Sequence, residues 1–321
     1  MNLRERILVN ISDRFLPFEE RNHKTSAIIY MLMSSFSFSV MNIFVKFSKN
    51  IPPYQVIHFR SFSNILICIL LLRNKDQIID SNKTTYRLLL TRGVIGAIGL
   101  SLYYHSLYFL PLSVAVVLMM MSPLWVGLIG QIMMGEKFKF YQLVLNFVSL
   151  VGVIFILKPS IFFENPDLEI DINQTSSNFY YALGVLLALS TSIISACVFV
   201  TIRQLKNRTN PIVIVFYFNF FNAIYSGVGL FYEKSINLNA TELFYLIIIG
   251  ISGLTSQISR SRALFLEKAF ILSVVDYSQI IFGYLSDIFI FKNDLDFFCT
   301  VGCALIVCST IVLIYLDKKK D

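Results

Sequence analysis

Residues Leu110 to Lys137 read LPLSVAVVLMMMSPLWVGLIGQIMMGEK, and this stretch decides the fold. It opens on the Leu110-Pro111 turn and closes on Gly135-Glu136-Lys137, with no charged residue between Leu112 and Met134. At about 1.5 Å of rise per residue, such a run crosses a hydrocarbon layer of about 30 Å as a helix. Its interior holds Pro123, Gly127, Gly130 and Gln131, which helical spacing gathers onto one small, polar face. Such a face suits a helix packed tightly against neighbours rather than one bathed in lipid. A weaker echo of the stretch follows about 156 residues later, from Leu266 to Asp294.

The composition agrees. Apolar residues make up 56% of the 321 and charged residues 15%, with a mean hydropathy of +0.68; a water-soluble domain does not tolerate this balance. The five cysteines lie in apolar runs without a C-x-x-C pair, and the three histidines lack metal-ligand spacing, so neither disulfides, metal nor cofactor is expected. No catalytic motif or phosphate-binding loop occurs, so the chain is not read as an enzyme.

Ten apolar segments are expected as spans, at about 26–48, 54–72, 88–109, 112–134, 141–158, 179–202, 211–232, 242–260, 269–291 and 297–316. The organisation that follows is a segment 1–25, a first repeat 26–158, an acidic loop 159–178, a second repeat 179–316 and a basic tail 317–321. With the N-terminus in the cytosol, twenty of the 27 Lys and Arg fall on the cytosolic side. Only Lys46, Lys49, Lys158, Lys234 and Lys292 fall opposite, and Arg60 and Arg92 lie within or at the edge of spans. This bias sets both termini in the cytosol and explains the net charge of +7 without nucleic acid.

The halves repeat at a nearly constant offset. Pro53 and Asn64 match Pro211 and Asn222; Lys46 matches Arg203; Gly93-x-x-Gly96 matches Gly250-x-x-Gly253; Ser122 and Gly127 match Ser278 and Gly283. Five spans is an odd number, so the second copy enters from the opposite side, as in carriers whose site lies between inverted repeats.

The run Arg92-Gly93…Gly96…Gly99…Leu107-Tyr108-Phe109-Leu110-Pro111-Leu112…Ser122-Pro123-Leu124…Gly135-Glu136-Lys137, with Val45-Lys46 and His58-Phe59-Arg60-Ser61, resembles an EamA domain of the drug/metabolite transporter superfamily. It is similar to the G-type subgroup of eukaryotic solute carrier 35 relatives. The second half resembles it through Gly250…Gly253…Gln257…Arg262-Ala263-Leu264…Asp276-Tyr277…Gly302…Ile306, but Lys292-Asn293-Asp294 replaces a Gly-Glu and Leu145 a glycine. The resemblance implies an all-α polytopic protein of ten transmembrane helices, two inverted five-helix repeats around a polar cavity, and alternating access.

Helical stripes nominate the cavity residues. Ser35, Ser39, Asn42 and Lys46 share a face of the first span; Ser252, Ser256 and Arg260, beside Gln257, a face of the eighth. Asp276, Gln279, Gly283 and Asp287 form a stripe in the ninth. Asp276 is the sharpest candidate: within a span an ionised group costs about 2.5–3.5 kcal/mol, and its own helix offers no base one turn away. It takes a proton or a cationic group, or forms a buried ion pair with another helix. Arg60 suits a carboxylate, while Tyr104 and His105 form a polar cluster in the outer third span. Arg92 is read as a cytosolic anchor, Glu136 as a span-end cap, and Pro123, Gly127 and Gly283 as packing positions.

The function expected is secondary active transport of a small polar organic metabolite; the alternative is a non-transporting scaffold or regulator. Its partners are that substrate and the lipid bilayer, with a homodimer left open. The Lys318-Lys319-Lys320-Asp321 end resembles a dilysine retrieval signal, so an endomembrane (ER or Golgi) or the plasma membrane is the expected location. Asn173 and Asn239 stand in glycosylation acceptor triplets.

Overall fold

This computed structural model describes residues 19, 22–48, 51–72, 82–110, 112–135, 139–157, 175–232, 238–290 and 297–320. The expected cap Glu136, the acceptor Asn173 and nearly all of the acidic loop lie outside the described residues, as do the side chains of Lys46, Tyr104 and Asp287. Twelve helices make up the described chain. They are α1 (His23–Phe47), α2 (Pro53–Leu71), α3 (Lys83–Phe109), α4 (Leu112–Met119), α5 (Ser122–Met134), α6 (Phe140–Leu157), α7 (Thr175–Gln204), α8 (Pro211–Gly229), α9 (Ala240–Leu266), α10 (Ala269–Val275), α11 (Ser278–Phe289) and α12 (Phe297–Lys320). Among the described residues seven segments are long and apolar enough to cross a membrane, the α10–α11 run among them, and α5 and α6 are shorter apolar helices.

Local chemistry sets the ends of these helices. Pro53 and Pro211 open α2 and α8 in the first turn, where a missing N–H costs nothing. Asn82 and Asn210 cap α3 and α8 by accepting from the N–H two residues on, each at 3.0 Å. Asn239, read from sequence as a glycosylation acceptor, caps α9 in a reciprocal box with Glu242. Gly135 ends α5 at φ 67°, a left-handed conformation that favours glycine.

The helix boundaries repeat with the sequence. α2 and α8 have 19 residues each, and α3 and α9 have 27 each. Packing repeats too. α1 lies along α9 as α7 lies along α3; α9 meets α2 as α3 meets α8; α11 meets α1 as α5 meets α7. The remaining large contacts, α2 with α8 and α6 with α12, join equivalent helices of the two halves. In the last pair Gly152 faces Gly302 so closely that a Cβ on Gly152 would stand 2.7 Å from the Gly302 carbonyl oxygen. Backbones that touch this way gain dispersion contact in a medium where apolar burial alone gives little.

Apolar packing is unequal at the two ends. One large cluster occupies the end where α1, α3 and α8 begin and α2, α7, α9 and α12 finish, and takes in every apolar residue of α10. At the opposite end the packing divides. Met41, Ile51, Val56, Leu246 and Ile249 form one small cluster, and Leu110, Ala115 and Ala188 another. The sealed end is the one where the basic residues concentrate.

Three sequence readings need correction. The spans expected at 112–134 and 269–291 are not continuous: α4 gives way to α5 at Met120–Met121, and α10 to α11 at Asp276–Tyr277. The eighth span does not end near 260 but continues to Leu266, which puts Arg260 inside α9. Exposed charges ended the expected span, whereas in the bundle Arg260 has a partner.

Glycine substitutions test this packing. Gly302→Val lowers the melting temperature of the purified protein, by an overpacking cost of about 1–3 kcal/mol. Gly283→Ala leaves it unchanged or slightly higher, since nothing stands within 4 Å of a Cβ there. The same thermal-melt measurement reads both variants.

Candidate functional site

The two breaks are built alike. Around the first, the Met120 N–H reaches Val116 O, the fourth residue back, whereas Met121 and Leu124 reach only three back, to Leu118 O and Met121 O. Around the second, Asp276 N reaches Leu272 O, while Tyr277 and Ile280 reach Val274 O and Tyr277 O. The pattern is the same at every one of these positions, at the offset of 156 seen in the sequence. Pro123 accounts for the first break, because it has no N–H for the carbonyl one turn before it. The second break has no proline.

The breaks also touch. With the Leu124 N–H on Met121 O, the Met120 carbonyl needs another donor, and Tyr277 Oη supplies it at 2.9 Å. The same hydroxyl lies 3.0 Å from Asn146 Oδ1 on α6 and shares its one proton between them. Tyr277 is fully buried. Gln279 Nε2 lies 3.6 Å from the sulfur of Met120.

Asp276, at the second break, receives Arg260 Nη2 at 3.0 Å and Ser35 Oγ at 3.1 Å on one carboxylate oxygen. Its side chain is 11% exposed and that of Arg260 15%. Next to this pair Ser34 and Ser256 share a hydrogen bond of 3.1 Å. Ser39 Oγ donates to the Gln279 carbonyl at 3.0 Å. α1, α9 and the α10–α11 break are therefore held by one polar network. Among the expected candidates it joins Ser256, Asp276 and Gln279, and the partner of Asp276 comes from α9.

Arg92 is the largest departure from the sequence reading. Expected to anchor at the cytosolic face, it is 3% exposed inside the bundle. Nη2 donates to Gln257 Oε1 on α9 at 3.4 Å, and the guanidinium carbon lies 4.5 Å above the Phe218 ring. Gly96, one turn along α3, leaves the slot that the side chain folds into: a Cβ there would collide with Nη1. The Arg92-x-x-x-Gly96 spacing carried this signal, but a polar α3 start with Lys83 and Arg87 masked it.

Other candidates lie apart from this network. Arg60 on α2 rests between Met41, whose sulfur accepts from Nη1 at 3.4 Å, and Gly253 of α9. Asn42 is exposed on α1, and Lys46 is carried near the end of the same helix. His105 is exposed, with Nδ1 2.7 Å from the Ser101 carbonyl of its own helix. Tyr104 precedes it on α3. Pro123 and Gly127 are buried in α5, and Gly283 faces open space on α11. Sequence reasoning also missed the anchoring of the sealed end. Arg203 Nη1 donates to the Leu264 and Phe265 carbonyls at 2.9 and 3.0 Å, and Arg262 pairs with buried Glu19, which also accepts from Tyr30 Oη at 3.2 Å.

Comparison with known proteins agrees with this duplicated architecture. The model of the EamA-like transporter family matches twice, at residues 25–158 and 182–315. The pseudopaline exporter CntI of Pseudomonas aeruginosa is 29% identical over 259 residues, which cover 80% of this chain and 85% of the exporter. Human solute carrier family 35 member G1 is 25% identical over 285 residues, covering 88% of this chain and 77% of the carrier. A solved crystal structure superposes with a TM-score of 0.77 at 17% identity, over 93% of this chain and 99% of its own, a likeness of fold. The family and these two named relatives are transporters, not enzymes, and this chain, a multi-pass integral membrane protein, belongs to the EamA-like transporter family.

Proposed function

We propose that this protein is a secondary active transporter that moves a small polar organic metabolite by alternating access, driven by a gradient or by exchange. Its ten spans form two inverted repeats with both termini in the cytosol of an endomembrane (ER or Golgi) or plasma-membrane protein. The observation that carries the reading is the meeting of the two helix breaks at a buried network that ties Asp276 to Arg260 and Ser35. Packing alone would place apolar side chains there, because a buried ion pair recovers little more than its desolvation cost. The unequal ends support the same reading. A carrier packed around one large apolar cluster at its basic end and two small ones at the other has the form of one of two alternating states, and duplicated helices supply the second state by exchanging roles. The names of its relatives, an exporter and a solute carrier, support a small-molecule cargo.

Asp276 then works as a gate group. While it holds Arg260, α9 and the α10–α11 break stay together; release lets them part. Proteoliposomes preloaded with a metabolite mixture and assayed for counterflow of labelled components test this. Asp276→Asn is expected to reduce counterflow at least tenfold and, by leaving Arg260 buried without its carboxylate, to cost about 3–5 kcal/mol of stability. The double variant Arg260→Gln with Asp276→Asn regains most of that stability without regaining flux. Wild-type flux in a folded double variant would remove the gate assignment. If the native protein carries no component of a broad mixture, the scaffold reading takes its place.

Alternating access has its own test. In a variant lacking the native cysteines, Asn42→Cys reacts with an impermeant maleimide from the non-cytosolic side. Ser261→Cys, 1% exposed in the native chain, reacts from the cytosolic side only during turnover. Equal labelling of both positions at rest contradicts the two-state reading.

A further inference from the structure

The Arg260–Asp276 pair leaves positive charge over. Arg92 donates to Gln257, which stands one turn before Arg260 on α9. Both arginines carry positive charge inside the bundle. Among the described residues, the carboxylate of Asp276 is the acid bonded to this group, so two guanidiniums face one carboxylate. Arg92 is 3% exposed, yet Nε and Nη1 have no hydrogen-bond partner, and neither does Nε of Arg260. A guanidinium carries five N–H donors, and the long 3.4 Å bond to Gln257 uses one of those on Arg92. Buried donors and an uncompensated charge are among the most unfavourable features a membrane bundle can carry. Phe218 lies 4.5 Å from the Arg92 guanidinium carbon and Phe199 5.5 Å from that of Arg260, so each guanidinium has an aromatic ring on one side rather than a further acceptor.

We infer that Arg92 and Arg260 form an anion site that receives the carboxylate of a monoanionic solute. This deepens the transport reading and rests on it, since a carboxylate reaches the site only when the sealed end opens. Charge balance selects the class: a single negative charge neutralises the group, whereas a phosphate dianion would overshoot it. Geometry agrees, because a carboxylate accepts two parallel N–H bonds from a guanidinium edge. A solute carboxylate also competes with Asp276 for Arg260. Occupancy therefore weakens the bond that holds α9 to the α10–α11 break, and substrate binding is coupled to opening.

Thermal melts of the purified full-length protein in nanodiscs test the site. The probes are lactate, acetate, inorganic phosphate and the neutral analogue lactamide, each compared with equimolar chloride. Lactate and acetate are expected to raise the melting temperature; at ten times its dissociation constant a ligand shifts the folded-to-unfolded ratio about elevenfold. Lactamide gives no shift, and phosphate a smaller one. Arg92→Met abolishes the lactate shift and raises the melting temperature of the ligand-free protein, since it removes a charge that lacks a partner. A purely structural arginine would lose stability instead. Arg92→Lys, which keeps the charge without the fork, weakens the lactate effect about tenfold, and exposed Arg87→Gln leaves it intact. Equal stabilisation by lactamide, no response to either carboxylate, or a retained lactate shift in Arg92→Met overturns the inference. Counterflow separates it from the transport reading: flux of neutral solutes without carboxylate binding removes this site alone, and binding without any flux removes transport alone.

Discussion

The bond from Tyr277 Oη to the Met120 carbonyl is the contact on which the centre of the molecule depends. Inside a bilayer every backbone polar group must find its partner within the protein. A helix that stops and restarts leaves carbonyls without the donor one turn ahead, and an unpaired buried acceptor costs about 1–3 kcal/mol. Two such breaks in one bundle would be hard to sustain independently. Set against each other, the residue that breaks α10 from α11 satisfies the carbonyl exposed where α4 breaks from α5. The first break takes its donor from the second.

Duplication makes this arrangement accessible. Equivalent segments occupy equivalent places, so a break in one copy is delivered to the neighbourhood of the break in the other. The repeated backbone pattern at Met120, Met121 and Leu124 and at Asp276, Tyr277 and Ile280 extends the sequence offset to the level of single hydrogen bonds. Side chains have meanwhile diverged. The first copy keeps Met120 and Pro123, while the second has the acid and the phenol. One copy provides backbone acceptors and the other provides the groups that bind them.

Hydropathy, charge bias and the near-constant offset carried the class of fold and the repeat, because both follow from local composition and spacing. The helix starts at Pro53 and Pro211 were legible for the same reason. The second break was not, because Val275-Asp276-Tyr277-Ser278 has neither glycine nor proline, and its geometry answers to α5 and α6 across the bundle. Arg92 was misplaced because its depth depends on the slot beside Gly96 and on Phe218 from the other half, both tertiary facts. Asp276 could be singled out by the cost of burying it, but naming its partner required knowing that α9 runs six residues beyond Arg260.

The sealed end has an energetic consequence for motion. The last two turns of α9 are tied at three points: Arg260 to Asp276, Arg262 to Glu19, and Arg203 to the final carbonyls. A buried ion pair recovers little more than its desolvation cost, so the hold lies mainly in the two charge-assisted bonds from Arg203 to carbonyls, about 1.5–3 kcal/mol each, and parting this end costs several kcal/mol before any apolar surface is exposed. Inverting a two-state equilibrium from 1:99 to 99:1 takes about 5.5 kcal/mol of differential binding. The two quantities are of one size, which is the condition for a small solute to switch the molecule. The equivalent end of α3 has a lighter hold: Leu110 packs with Ala115 and Ala188 and lies against Gly184. A strong, ionic seal on one side and a weak, apolar one on the other bias the ligand-free protein toward the state described here, and a solute that neutralises the charge around Arg260 acts on the stronger of the two.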